Sequence, residues 1–507
     1  MKKIFAFLVT VCLMVSALSV TSFAALLENF DEVPVGAVLR VSALTKTDSN
    51  TLETQVLKDF GSFQDGWNYA MKIAGDDDEM DDNQYERIVV DIYADWTADE
   101  SGDFTDEIWN GKGFKNDTIY VPADAKVTLN LNGHTIDRGL TDDIGDGEVM
   151  FINDDADMII NDGTITGGYS NSEGGGLYIE GAKVTLNNVN ITGNTVEDDD
   201  GAGIAAYGGT TLIINGGSIS DNLVAQDDVD TFYGGAIYIE DSTAVLTEVT
   251  IKGNAYNHLK LYWLQGAAIY SENSSITMTD CVVRENGLAE YDGVAYGNVR
   301  SIIYANDSEV VIKNTDFIDN GHKNARTAGS GQYQSDPIPN VMISAIDSDL
   351  TLTGGNFTGN DMIYLFMLSD TTAFVEGVDF TDNDALSLLS YNDASTPSVF
   401  ANCAFGAGTP FREYFKFDID LRHEESGITF EECTFNGSTI SDKNAATFLG
   451  GNVSNTAGSI FGEGSLTMII AILALVASAI SIFLIVDVKK KSVPATANNT
   501  ANKADEK

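Results

Sequence analysis

The chain has 507 residues, of which 76 are acidic and 28 basic, giving a formal net charge of −48, and 43% of it is hydrophobic. A surface this acidic repels phosphate backbones and excludes nucleic acid as a partner. The hydrophobic fraction supports a large core and excludes disorder as the default, while four cysteines are too few for a disulfide-built scaffold.

Met1 to Ala24 reads as a secretory signal. Lys2 and Lys3 supply the positive start, Ile4 to Val20 is almost wholly apolar, and Ser22-Phe23-Ala24 offers small residues at the cleavage site. Residues 25–118 follow no repeat and are expected to cap the region after them. Within that cap Phe63, Trp67, Ala70, Met71 and Ala74 have helical spacing, which predicts an amphipathic helix over Ser62 to Ala74. Trp67, Trp96 and Trp109 also lie there.

Residues 119–440 carry an internal repeat, the strongest signal in the chain. Apolar or small residues recur at relative positions 0, 2, 7, 9, 12 and 14, with Asn at 17. One copy is Leu177, Ile179, Val184, Leu186, Val189, Ile191 and Asn194; others begin at Ile237, Ile269, Ile303, Ile343 and Phe366. The copy from Ile204 to Asn222 is one residue longer, and weaker copies begin near Leu129, Phe151, Phe400 and Leu421. Positions two apart share one face of a strand, so each block reads as three short strands joined by polar bends. Stacked blocks predict a right-handed parallel β-helix of about eleven coils, all-β in class, because parallel crossovers wind right-handed.

Asn194, Asn222, Asn254, Asn286, Asn320, Asn360 and Asn383 are expected to form a structural ladder at a tight bend, with Asn itself in the left-handed conformation. Insertions such as Thr195–Gly203, Leu223–Ala236, Ala255–Ala268, Gly287–Ile302 and Gly321–Met342 all leave the coil after that Asn. Loops gathered on one face of a solenoid are where binding resides. Tyr256, Tyr262, Trp263, Tyr291 and Tyr296 crowd these insertions and are the candidate binding residues, able to stack on sugar or protein. Acid runs in two of them place Asp198, Asp199, Asp200, Asp227, Asp228 and Asp230 in one corner, a candidate Ca²⁺ site without the spacing of an EF-hand loop. No cofactor is required.

Two features are assigned to the core. His134 and His423 fall at inward repeat positions and are expected to be buried, whereas His258 and His322 sit in insertions without the cysteine partners of a zinc site. Cys281, Cys403 and Cys433 share relative position 12 and form one inward stack, with Cys403 and Cys433 on neighbouring turns.

A polar stalk follows over 441–465. Leu466 to Val486 is 21 residues without a charge, long enough as a helix to span the roughly 30 Å hydrocarbon layer. Lys489, Lys490 and Lys491 precede the polar end of the tail 487–507 and keep it cytoplasmic. The expectation is a single-pass protein of the cell membrane with an extracellular ectodomain.

Gly174-Gly175-Gly176-Leu177, Gly234-Gly235-Ala236-Ile237 and the Phe-x-x-Asn runs at Phe317, Phe357 and Phe380 resemble the repeats of polymorphic outer-membrane proteins. Leu129 to Ile136 is similar to the entry of many bacterial surface proteins of the pectin-lyase-like group. The resemblance covers roughly residues 115–440 and implies the β-helix. A single apolar helix and lysine run, where those outer-membrane proteins carry a translocation barrel, looks like a bacterium of the Gram-positive type. Pectate lyases of that group use carboxylate-bound Ca²⁺ and a basic residue, and related hydrolases use paired carboxylic acids. No residue is singled out here as catalytic. The first expectation is therefore a non-catalytic, adhesin-like surface protein that binds carbohydrate or protein through the insertion corner. The alternative is a polysaccharide lyase or glycoside hydrolase acting on acidic or cell-wall polysaccharide.

Overall fold

The computed structural model describes residues 34–439 apart from 48–50, 99–113, 116–117, 142–146, 198, 226–230, 257–262, 288, 292–293, 297–300, 322–340, 361, 363, 384–386, 393–397, 407–417, 422–427 and 436. The signal, stalk, apolar span and tail expected at the two ends lie outside these residues. Among the described residues no helix is long and apolar enough to cross a membrane.

The repeat folds as parallel coils. Position-0 strands stack into a twelve-stranded sheet, parallel throughout except for the first pair, Phe114–Lys115 with Thr118–Val121. The second and third strands of every coil join a 25-stranded sheet. Pairing is in register from coil to coil, as in Val184 on Leu212 on Ala244 on Ile276 on Val310. Alternation then sends one row of side chains inward, and Val184, Leu186, Ile191, Leu246, Ile251 and Ile312 are fully buried. Towards the C-terminal end the interior becomes aromatic. Phe317, Phe357, Phe380 and Phe405 stack with ring centroids 4.4, 4.8 and 5.3 Å apart.

Three bends per coil need a left-handed residue. One is supplied by Asp241, Asn273, Asp307, Asp347 and Asp370, a second by Asn188, Glu248, Asp280, Asn314 and Asn402, and a third by Asp221, Glu285 and Asp319 or by glycine. Asp and Asn enter this region at little cost because their short side chains bond locally. Glu248 and Glu285 lack that advantage and adopt φ of 56° and 55° only because stacking forces them.

Two hydrogen-bond ladders hold the bends. At the third bend each Asn side chain points inward, and its Oδ1 accepts the backbone N–H and Nδ2 of the Asn one coil earlier, from Asn194 on Asn222 through Asn360 on Asn383. At six of the seven ladder positions, all but Asn383, the left-handed residue is the one before the Asn, as with Gly193, Asp221 and Glu285, and at none is it the Asn itself. The amide thus keeps ordinary backbone geometry and reaches inward. At the first bend a second ladder runs through hydroxyls: Thr210, Ser242, Ser274 and Ser308 each donate a backbone N–H to the hydroxyl on the next coil.

His134 departs from its expected place. Asn132 and Gly133 have positive φ (52° and 82°), which swings Leu131 into the core at full burial. Gly163, in register with Val189, leaves the room that Leu131 occupies. His134 is displaced outward, with a third of its side chain exposed, and its Nδ1 lies 3.1 Å from Asp95. A hydrogen bond from Thr135 and a second from His134 hold the Asp95 carboxyl below the usual range. Cys281, Cys403 and Cys433 are buried free thiols, and the Cys403 N–H donates to Cys433 Sγ at 3.4 Å. His423 lies outside the described residues.

The N-terminal region closes the coil. Strands β1 (Leu39–Lys46), β2 (Leu52–Phe60) and β3 (Tyr85–Ile92) form an antiparallel ribbon, and β3 pairs parallel with Lys126–Asn130, so the cap sheet continues the coil sheet. The helix Phe63–Ala74 is capped by Ser62, whose side chain accepts the Asp65 N–H. It buries Phe63, Trp67, Ala70, Met71 and Ala74, and Trp67 Nε1 donates to the Tyr120 carbonyl at 3.2 Å. An outer amide ladder (Asn215 to Asn187, Asn161 and Asn130) ends on Asp91 of β3.

Asn254→Ala strands the Asn222 N–H and frees the Ile219 carbonyl. Buried polar groups left unmade cost about 1–3 kcal/mol each, so a loss of roughly 3 kcal/mol or more is expected. Asn383→Ala, at the described end of the ladder and 9% exposed, is expected to cost less. Urea midpoints followed by circular dichroism check the order of the two.

Candidate functional site beside the insertion corner

The insertions leave the coil after the Asn ladder and return to the twelve-stranded sheet. Four short strands continue the stack just beyond the ladder: Tyr169–Ser170, Thr195–Glu197, Leu223–Ala225 and Ala255–Tyr256. On return, Gly174, Gly201, Gly234 and Gly266 take φ between 68° and 73°, which turns each chain sharply into the sheet. Crowding is severe there. A side chain on Gly203 would sit 2.5 Å from the Ala236 carbonyl oxygen.

The outer face of this sheet carries a column of aromatic rings that the repeat pattern did not single out. Tyr120, Phe151, Tyr178, Tyr207, Tyr238, Tyr270 and Tyr304 follow one another at centroid distances of 4.8 to 5.6 Å. In-register stacking creates it, because Tyr178, Tyr238, Tyr270 and Tyr304 all stand one residue after position 0. The coil at Ile204 has Ala205 in that place, and Tyr207, two residues on, fills the gap. Tyr238 and Tyr270 are only 6% and 5% exposed, since Tyr233 from the returning insertion lies 4.5 Å from the Tyr270 ring. The other rings of the column are half-buried.

Carboxylates surround the rings. Glu240 and Glu272 accept the hydroxyls of Tyr238 and Tyr270 at 2.9 and 2.8 Å. Asp200 accepts the Tyr233 N–H at 2.8 Å, and its carbonyl accepts the Gly174 N–H at 3.0 Å. Burial, and then the charges of Asp199, Glu173 and Glu240, push the Asp200 carboxyl up to about 8 despite that hydrogen bond. Burial followed by Glu173, Glu180, Glu148 and Asp199 pushes the Tyr178 hydroxyl to about 12. Burial, Glu173 and Asp200 raise Tyr207 in the same direction. The site is thus a tyrosine floor with carboxylates at its rim and one carboxyl that holds its proton near neutrality.

The candidate binding residues stand on the insertions themselves. Tyr256 ends the strand that pairs with Leu223–Ala225, and Trp263 pairs with Thr231 in a separate two-stranded sheet. Tyr291 and Tyr296 lie on an antiparallel hairpin, Ala289–Tyr291 with Val294–Tyr296. These backbones occupy three different small sheets, and Tyr262 lies outside the described residues. Of the candidate Ca²⁺ residues, Asp198, Asp227, Asp228 and Asp230 also lie outside, as do His258 and His322. Among the described residues no group of three or more His, Cys, Asp or Glu side chains is arranged to hold a metal ion.

Asp200 ties stability to pH. Its folded value lies above the ordinary carboxyl value near 3.9, so between about pH 4 and 8 the folded chain holds a proton that the unfolded chain has released. Its contribution is full below pH 4 and is lost as pH rises towards 8. Asp200→Asn, which keeps the acceptor without the charge, is expected to lie closest to the wild type at pH 4 and to melt clearly higher at pH 9. Thermal scans at the two values check this.

Residues 126–317 match the family model described as a right-handed β-helix region. Searches of curated proteins and of solved structures returned no match. With its parallel strands in register well beyond that segment, the chain is a parallel β-helix protein.

Proposed function

We propose that this is an exported surface protein, held in the cell membrane by Leu466 to Val486, whose β-helix presents a binding face to the exterior without catalysing a reaction. One observation carries the reading. Successive insertions fold back beside the outer tyrosine column and bring Glu173, Asp199 and Asp200 to it, where Glu240 of the sheet already stands. Half-buried rings in a row suit an extended ligand lying along the coil axis, with apolar contact to the rings and hydrogen bonds to the carboxylates. The rim charges favour a neutral or amino-bearing carbohydrate, or a basic protein segment, over a polyuronate.

A second reading, glycoside hydrolysis, draws on Asp200. A carboxyl that keeps its proton near neutrality beside ionised neighbours is what a general acid needs. Full-length protein in detergent, incubated with a panel of neutral, amino-bearing and acidic polysaccharides, separates the readings. Retention without new reducing ends supports binding, whereas new reducing ends lost in Asp200→Asn support hydrolysis. Unsaturated products point instead to a lyase. Under the binding reading Tyr178→Ala with Tyr207→Ala is expected to weaken retention at least tenfold, and unchanged retention removes the tyrosine column as the site.

A further inference from the structure

Among the described residues β2 is the last strand of the long sheet at its N-terminal end, and its one strand neighbour is β1. It is nine residues long and largely exposed. Leu52 and Val56, at 54% and 41%, are two of the three large hydrophobic side chains exposed among the described residues; the third, Val35, also belongs to the cap. Such an edge is a template for another strand unless charge, proline or a bulge protects it. β2 has a bulge only at its far side, where Val41 faces Lys58 and Ser42 faces Val56, and the stretch Leu52–Val56 is regular.

Backbone direction adds a second observation. The Lys46 N–H donates to the Gln84 carbonyl, on the β3 side of β1. By the alternation of an antiparallel ladder Thr45 and Ala43 then face β2, and their partners Glu53 and Gln55 spend their peptide groups on β1. The peptide groups of Leu52, Thr54 and Val56 are left on the free side.

We propose that this edge docks a second copy of the chain, β2 against β2 and antiparallel, about a two-fold axis through Thr54. In that register Leu52 of each copy faces Val56 of the other, Thr54 faces Thr54, and Glu53 faces Gln55. The two exposed apolar side chains cover one another twice, and no like charges meet. Charge favours the same end. On a chain of net charge −48 side-by-side contacts repel, but here Arg40 pairs with Asp59, Lys46 with Glu86, and Glu53 and Lys58 balance. The axis lies across the stack, so the two coils join end to end and their C-terminal ends point apart. Resting on the membrane-anchored reading above, the contact is one between facing surfaces.

Full-length protein in detergent, followed by light scattering over a concentration series, is expected to double in mass, and oxidised Thr54→Cys to give a reducible covalent dimer. Thr54→Pro removes only an N–H on the free side, which an edge strand tolerates. It is expected to leave the circular dichroism unchanged and abolish the doubling. A monomer at every concentration overturns the proposal, whether the edge stays open or is filled by residues 25–33, and so does a dimer that survives Thr54→Pro. Vesicles carrying the protein are expected to cluster; failure to cluster alongside a doubled mass counts against the anchored reading alone.

Discussion

In-register parallel stacking is the constraint on which the rest of this molecule depends. Each residue sits above its equivalent one coil earlier, so any side chain repeated in the sequence becomes a column in space. Columns of Ile, Val and Leu make the core; a column of Asn makes the buried ladder. The ladder decides the register, because one Asn out of step would leave two peptide groups and an amide unpaired inside an apolar coil. Hydrophobic columns alone would tolerate slippage, since one Ile packs on another at several heights.

The same rule makes stacking hazardous for charge. Asp307, Asp347 and Asp370 recur at one bend on successive coils, and repetition at a single sheet spacing opposes like charges directly. These acids are kept where their left-handed conformation is needed and where water screens them. Asp200 is the informative exception. It is drawn beneath a returning insertion to receive the Tyr233 N–H, and it remains there by keeping its proton. Lost solvation of the carboxylate outweighs the hydrogen bond it accepts, and the cost appears as pH dependence.

Much of this was legible in the sequence, and the failures have physical causes. The 17-residue block revealed the coil, and the seven asparagines revealed the ladder, because period-two apolar pairs and buried amides leave invariant spacing. The pattern placed His134 inward because it counts positions, whereas Asn132 and Gly133 turn the backbone and give that place to Leu131. The tyrosine column was missed although Tyr178, Tyr238, Tyr270 and Tyr304 share one repeat position: the pattern was read for inward residues, and these point outward. The hydroxyl ladder hid in dipeptides such as Asp241-Ser242, Asp307-Ser308 and Asp347-Ser348, which look like ordinary polar turns. The loop aromatics Tyr256, Trp263, Tyr291 and Tyr296 stand on strands of three small sheets, and proximity in sequence does not say which sheet an insertion joins.

Why the insertions gather at one corner follows from the ladders. At the first bend each Ser or Thr hydroxyl must meet the N–H of the coil before it, so an added residue breaks the chain of bonds. One coil carries such an extra residue, and it needs the consecutive glycines Gly208 and Gly209, both with positive φ, to absorb it. The second bend is one left-handed residue, or a glycine pair as at Gly216-Gly217 and Gly354-Gly355, between two strands of fixed spacing. Beyond the short strands that follow the ladder Asn, the connection leaves the repeated hydrogen bonds, and there length costs little, because loop closure grows slowly with loop size. The next strand begins at that corner with an outward ring one residue in. Variation in length, aromatic surface and displaced carboxylates therefore meet along one edge of one sheet, and the rigidity of the rest of the coil confines them there.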